Sequence, residues 1–205
     1  MLLLKERSCL NYRMENSFII LISYLMGSIP FGFILTKIIL KKDIRDVGSG
    51  NIGATNALRT GNKYIGYGTL FLDVLKAIIT LVIIKLYYSE YIYISALSIF
   101  LGHIFPVWLK FKGGKGVATL LGILFCINYS LAFIFIVTWF IIFIISKYSS
   151  LSSLIASLAV PIFNFIFISN GDYYFFIILF VLVFYTHRDN IKRLINNTEI
   201  KTKIY

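Results

Sequence analysis

Two short glycine-rich strings hold most of the residues suited to meeting an anion. The first reads DIRDVGSGNIGATN, from Asp43 to Asn56. Gly48, Gly50 and Gly53 alternate there with Ser49, Asn51, Thr55 and Asn56. Glycine permits positive-φ turns and close backbone approach, and successive N–H groups in such turns form a concave anion site. Arg45 and Arg59 add planar forks suited to phosphate. The competing reading is a plain turn between helices, but a plain turn has little use for three spaced glycines among so many small polar side chains. The second string, FKGGKG, sets Lys115 among Gly113, Gly114 and Gly116, just ahead of an apolar run. A helix starting after Gly116 would turn its N-terminus toward an anion. The spacing is not that of a Walker A loop. On one face of the molecule, the two strings suggest a shared site for more than one phosphate group.

Other polar residues stand at places where they need a reason. His103 lies in LGHIFP and His187 in THRDN, too far apart in sequence to signal a metal site and in no visible Ser-His-Asp arrangement. Asp73 and Lys76 are three apart on one helix face, and pairing with each other would lower the cost of placing both in a membrane. Lys85 is expected to snorkel. The string GSIPFG interrupts an apolar run, and Pro30 frees a backbone carbonyl that must find another donor. The string SKYSSLSS is expected to cap a helix start, with Ser149 or Ser150 also able to donate to a ligand. In the tail, Asn190, Arg193 and Glu199 either face the same pocket or belong to a short amphipathic segment on anionic lipid.

The elements that must position these residues follow from composition. Of 205 residues, 59% are hydrophobic, 17% aromatic and only 14% charged, against about a quarter charged in a soluble domain. Mean hydropathy is +0.84. A soluble, disordered or coiled-coil chain is excluded. Cys9 and Cys126 are too few for a disulfide scaffold or a cysteine zinc site, and Cys126 reads as a small apolar residue inside a span. Apolar runs occupy about 17–40, 64–86, 92–109, 117–146, 151–168 and 173–186. A span needs roughly 20 residues, so the run at 117–146 is split near Asn128 into two short helices.

The reading is therefore an all-α integral membrane protein of about seven transmembrane helices. It forms a single domain over 1–205, with residues 1–16 an extension or a start-site artefact and Met14 an alternative start. Net charge is +11. In a soluble protein this would suggest nucleic acid. Here 14 of the 20 basic residues fall in the segments 41–63, 109–116, 147–150 and 188–205, and none in the opposite turns. The positive-inside rule makes the loaded face cytoplasmic, with the N-terminus outside, the C-terminus inside and no nucleic-acid partner.

Taken in order, GSIPFG, DIRDVGSGNIGATN, GHIFP with FKGGKGVAT, YSSLSS, and HRDNIKRL followed by Glu199 resemble one family closely. It is the bacterial acyl-phosphate:glycerol-3-phosphate acyltransferases, the PlsY family. The resemblance implies a seven-helix enzyme of the bacterial cytoplasmic (inner) membrane with its site at the cytoplasmic face. It implies transfer of a fatty acyl group from acyl phosphate to the 1-hydroxyl of sn-glycerol 3-phosphate. The products are lysophosphatidate and phosphate, in the first membrane step of phospholipid synthesis. A soluble phosphate acyltransferase would supply the donor, and neither acyl-CoA, a metal nor a cofactor is used. By the same resemblance Ser49, Arg45 and Lys115 meet phosphate groups. Asn51, Thr55 and Asn56 shape one cradle, and Gly113, Gly114 and Gly116 the other. His103, Ser150, His187 and Asn190 contact or orient glycerol 3-phosphate, Arg193 faces the same pocket, and Glu199 ties the tail to it. The acyl chain enters laterally from the membrane.

Three positions depart from the family pattern: Ala77 and Asn197 where glycine is frequent, and Thr186 where a basic residue often precedes the histidine. Two other classes compete: an organic-phosphate transporter, and a non-catalytic membrane subunit that docks a soluble enzyme. No internal repeat of the kind common in transporters is present, and a docking subunit would not need two glycine-rich cradles.

Overall fold

The computed structural model describes residues 16–168 and 172–202, and all regular structure among them is helical. Lys5, Arg7, Cys9, Arg13, Met14 and Lys203 lie outside the described residues. In chain order the helices are α1 (16–28), α2 (Phe31–Leu40), α3 (Ala54–Leu58), α4 (Lys63–Tyr87), α5 (Ile92–Ile104), α6 (Val117–Ile127), α7 (Tyr129–Ser146), α8 (Ser149–Phe163), α9 (Tyr173–Thr186) and α10 (Arg188–Ile195). A π-helical segment, Asn164–Ile168, extends α8.

Local chemistry sets the breaks. Asn128 ends α6 and caps α7, its side-chain oxygen accepting from the Ser130 and Leu131 amides at 2.9 and 3.4 Å. The long run at 117–146 is thus divided where a polar side chain supplies the cap. Asn62 starts α4 in the same way. Pro30 separates α1 from α2, Met26 O accepts from Ile29 N at 3.3 Å, and the Ile29 carbonyl, left without a helical partner at the break, accepts from Lys76 Nζ at 2.9 Å. The serine run behaves differently from expectation. Tyr148 holds the N-cap position of α8 and makes no side-chain cap. Ser152 and Ser153 instead donate back to carbonyls four residues earlier, at Tyr148 and Ser149. Lys85 donates to the carbonyl of Cys126 at 2.9 Å, and Cys126 is buried.

Four elements among the described residues are long and apolar enough to cross a membrane: Asn16–Leu40, Ser89–Leu109, Tyr129–Ser146 and Ser149–Ile168. The pair α9–α10, bent by 62°, passes the same test only when its two helices are taken together. With 25 residues, α4 reaches about 37 Å at 1.5 Å per residue, and it carries the Asp73–Lys76 pair. The 11 residues of α6 give about 16 Å, half of a hydrocarbon core of about 30 Å. Large apolar side chains such as Phe133, Ile144, Ile145 and Phe184 point outward. Such a surface suits lipid rather than water.

Helix α5 is largely buried, with Ile99 and Phe100 fully buried in one apolar cluster with Leu124, Leu131 and Val183. It crosses α1 backbone to backbone. A Cβ on Gly27 would sit 2.1 Å from the Ile99 carbonyl oxygen, and one on Gly102 2.2 Å from that of Tyr24. Small residues permit such an approach in membranes. Tyr24 clasps the crossing by donating to Phe105 O at 2.6 Å. We expect Gly102→Ala to destabilise the protein by about 1–3 kcal/mol through overpacking, seen as a lower thermal midpoint in detergent. Gly68→Ala, whose added carbon would meet only the tip of Leu35 at 3.2 Å, should leave the midpoint nearly unchanged.

Candidate active site

The first glycine-rich string folds around one amide. Asn56 is 2% exposed. Its oxygen accepts from Ser49 N at 2.8 Å and Ser49 Oγ at 3.2 Å. Its nitrogen lies within reach of the carbonyls of Ile44, Val47 and Asn51 at 3.2, 2.8 and 2.8 Å. Asn56 therefore shapes the loop and has no polar capacity left for a ligand. Gly48 takes φ of +55° there, a conformation that costs other residues a good deal. Asn51 accepts from Gly53 N at 2.9 Å, and Thr55 Oγ1 meets Ser149 Oγ of α8 at 3.2 Å.

The second string packs Lys115 against the end of the chain. Lys115 Nζ donates to Asn190 Oδ1. The Lys115 carbonyl lies 3.1 Å from the Thr186 hydroxyl, which is also 2.9 Å from Val183 O. Asn190 in turn donates to Glu199 Oε1 at 2.6 Å. Ser150 donates to the same oxygen at 2.9 Å, and Arg193 Nε to Oε2 at 2.6 Å. Burial pushes the Lys115 ammonium down to about 8, partly offset by the nearby Glu199 charge. Burial works against the Glu199 carboxylate, but donors from Arg193, Asn190 and Ser150 hold it below the usual carboxylate range.

These groups line a cavity of about 480 Å³. One end is polar, with Ser49, Arg59, Lys115, Ser150, His187, Asn190 and Glu199. The other is apolar, with Leu121 of α6 and Phe135, Trp139 and Phe143 of α7. Trp139 stacks on Phe143 with ring centroids 4.8 Å apart and is pinned by its Nε1 donating to Ser153 at 3.1 Å. Asp73 and His103 also line the cavity, and Lys76 stands behind them, 2.8 Å from Asp73 Oδ1 and 3.0 Å from His103 Nδ1. His187 Nδ1 lies 2.8 Å from Val183 O. A carbonyl only accepts, so Nδ1 carries the proton and Nε2 holds a lone pair.

The expected residues are brought together with four exceptions. Arg45 does not reach the cavity wall. Its guanidinium lies on the Asp43 carboxylate, 2.6 Å from Oδ2, and over the Phe33 ring, with the side chain 45% exposed. Gly113 and Gly114 also lie outside the lining. Their amides are already used, on the carbonyls of Ile104 and His103 at 3.2 and 3.0 Å, so they fold the loop back on α5 and have no N–H to offer a ligand. Gly116 does line the cavity, at φ +84° and with no room for a Cβ against Phe100. Arg193 stands behind the wall, on Glu199.

Arg59 lines the cavity in place of Arg45. It ends α3 in helical conformation and forms no ion pair with a carboxylate among the described residues. Burial works against its charge, with Glu199 favouring it and Arg193 opposing it. The spacing held a signal for it. Thr55 and Arg59 are four apart, so a helix over ATNAL puts both on one face.

A polar end bearing two cations and a donor set, joined to an apolar end lined with rings, suits a phosphate group and an acyl chain held together. The comparisons agree. The family model for glycerol-3-phosphate acyltransferase matches residues 17–197. The glycerol-3-phosphate acyltransferase of Pelagibacter ubique is 65% identical over 192 residues, covering 94% of this chain and all of that one. That of Anaplasma marginale is 44% identical over 89% of this chain and 93% of its own. Among solved structures, the chain is similar to PlsY, an integral membrane glycerol 3-phosphate acyltransferase, in its glycerol 3-phosphate form. The TM-score is 0.85 at 36% identity, over 92% of this chain and 96% of that one. The lysophosphatidic acid form gives a TM-score of 0.81 at the same identity, over 91% and 95%.

Hydrogen bonds to charged groups contribute about 1.5–3 kcal/mol. We expect Arg59→Ala to weaken the binding of a phosphate monoester at least tenfold in calorimetric titration, and Arg45→Ala to change it less than twofold.

Proposed function

This chain belongs to the glycerol-3-phosphate acyltransferase family of integral membrane enzymes, and we propose that its acyl donor is acyl phosphate. The acyl group passes to the 1-hydroxyl of sn-glycerol 3-phosphate, giving lysophosphatidate and inorganic phosphate. Family membership replaces the transporter and docking-subunit readings and places the enzyme in phospholipid synthesis. The observation that carries the proposal is one cavity whose lining includes both Lys115 and Arg59 and the rings of α7. Both substrates bear phosphate, and the donor adds a long apolar chain.

In this reading Ser49, Arg59 and Lys115 hold phosphate oxygens, while Ser150, His187 and Asn190 orient the glycerol. The hydroxyl oxygen attacks the acyl carbonyl carbon. The bond from that carbon to the phosphate oxygen breaks, and phosphate leaves with the bonding electrons. The hydroxyl proton goes to His187 Nε2 or to a substrate phosphate oxygen. Arg59 stabilises charge on the leaving phosphate, Lys115 holds the phosphate of the acceptor, and joint confinement supplies much of the rate. Transfer is direct, with no acyl-enzyme. No cofactor takes part, and a soluble phosphate acyltransferase supplies the donor.

The chain acts as a single domain of the bacterial cytoplasmic membrane. In this reading seven segments make the crossings: α1–α2, α4, α5, α7, α8, α9, and α6, which is too short to cross alone, together with the chain that flanks it. The loops that carry Ser49 and Lys115 lie at the cytoplasmic face, where most of the basic side chains collect.

Purified protein given palmitoyl phosphate should release phosphate only with glycerol 3-phosphate present, yield lysophosphatidate, ignore palmitoyl-CoA, and lose activity in Lys115→Ala. Equal use of palmitoyl-CoA would overturn the donor assignment. Because kcat/KM reports the free enzyme, it should fall about tenfold per pH unit above an apparent value of about 8, as Lys115 loses its proton. Lys115→Arg, which keeps its charge, should abolish that alkaline fall.

A further inference from the structure

One buried ammonium has three polar atoms within 3.0 Å, two as hydrogen-bond partners and one as its counter-ion. Lys76 Nζ lies 2.8 Å from Asp73 Oδ1, 2.9 Å from the Ile29 carbonyl and 3.0 Å from His103 Nδ1. Its side chain is 1% exposed. An ammonium has three donors and no acceptor, and the Asp73 carboxylate 2.8 Å away is its counter-ion. His103 Nδ1 lies 3.0 Å from that ammonium and 3.6 Å from Asp73 Oδ1; the shorter contact makes Nδ1 the acceptor and leaves the proton of the neutral ring on Nε2.

The ring is held on its far side as well. A Cβ on Gly114 would sit 2.1 Å from His103 Nε2, so only glycine fits against that edge. The Gly114 amide donates to the His103 carbonyl at 3.0 Å, and the next residue is Lys115. A continuous path therefore runs from the Pro30 break through Lys76 and His103 to Gly114 and Lys115. Asp73 and His103 on that path line the cavity, whereas Lys76 does not.

We propose that Asp73 and Lys76 are positioning residues for acyl transfer. They fix the orientation and the Nε2–H tautomer of His103, and through the ring they brace the loop that presents Lys115 to the phosphate of the acceptor substrate. The inference rests on the acyltransferase reading for the identity of that substrate, while the tautomer is independent of it. The two histidines then hold opposite tautomers. His187 carries its proton on Nδ1, toward Val183, and His103 carries it on Nε2, away from Lys76.

Histidine-selective ¹⁵N–¹H spectra of the detergent-solubilised full chain read the tautomers directly, with His103→Gln assigning the signals. The wild-type protein should show a one-bond proton coupling on Nε2 of His103 and on Nδ1 of His187. A proton on Nδ1 of His103 would overturn the proposal, whatever the variants do.

The double variant Asp73→Leu/Lys76→Met removes both charges together, which avoids leaving one buried and unpaired. It should give His103 a mixture of tautomers. It should raise KM for glycerol 3-phosphate at least tenfold with kcat within about threefold of wild type. A purely structural role would lower the active fraction, and with it kcat, at constant KM. An unchanged KM together with an unchanged His103 tautomer would overturn the proposal. If the wild-type protein makes no lysophosphatidate, the acyltransferase reading fails, and the wild-type spectrum still decides the tautomer.

Discussion

A carboxylate drawn away from water needs donors on its oxygens, and Glu199 has them from two helices. Ser150 of α8 and Asn190 of α10 share one oxygen, and Arg193 of α10 takes the other. The side chain is 5% exposed. These bonds fasten the end of the chain across the cavity that α3, α6 and α7 also line. The same carboxylate offsets the charge of Lys115 and Arg59, two cations that would otherwise face each other at the polar end. Lys115 reaches it through Asn190, so tail docking and charge balance are one interaction. An incoming phosphate meets cations that are already partly compensated, which lets the cavity exist before substrate arrives.

The apolar surroundings impose a second demand, that no backbone group inside the bilayer go unpaired. Pro30 breaks the first span and exposes the Ile29 carbonyl, and Lys76 supplies the missing donor. The cost of burying that lysine is met by Asp73, one turn away on α4. The resulting ion pair sits behind His103, so repair of a broken helix also builds one wall of the cavity. At the opposite end, α7 contributes rings rather than charges. A reaction that joins a phosphate-bearing alcohol to a fatty chain needs both kinds of wall within one substrate length.

Much of this was legible in the sequence because it followed from local chemistry. The division at Asn128, the pairing of Asp73 with Lys76 and the meeting of the two glycine-rich loops with the tail all stand in the structure. What failed locally was the assignment of single residues within a correct string. Arg45 and Arg59 are equally basic, and only the fold shows that Asp43 and Phe33 take the first while α3 carries the second to the cavity. Gly113 and Gly114 look like an anion cradle from spacing alone. Their amides are consumed by α5 carbonyls, a long-range pairing that no local pattern reports. Asn56 shapes the first loop, and its five loop contacts leave it nothing to offer a ligand directly. Thr186, a departure from the family pattern, has a role of its own beside the Lys115 carbonyl.

In the proposed reaction one cavity holds both substrates at once and passes the acyl group directly between them. Initial rates measured while both palmitoyl phosphate and glycerol 3-phosphate are varied test this most directly. Double-reciprocal lines that intersect are the expected result, since a ternary complex must form before transfer. Parallel lines, the fingerprint of a covalent acyl-enzyme released before the second substrate binds, would contradict it.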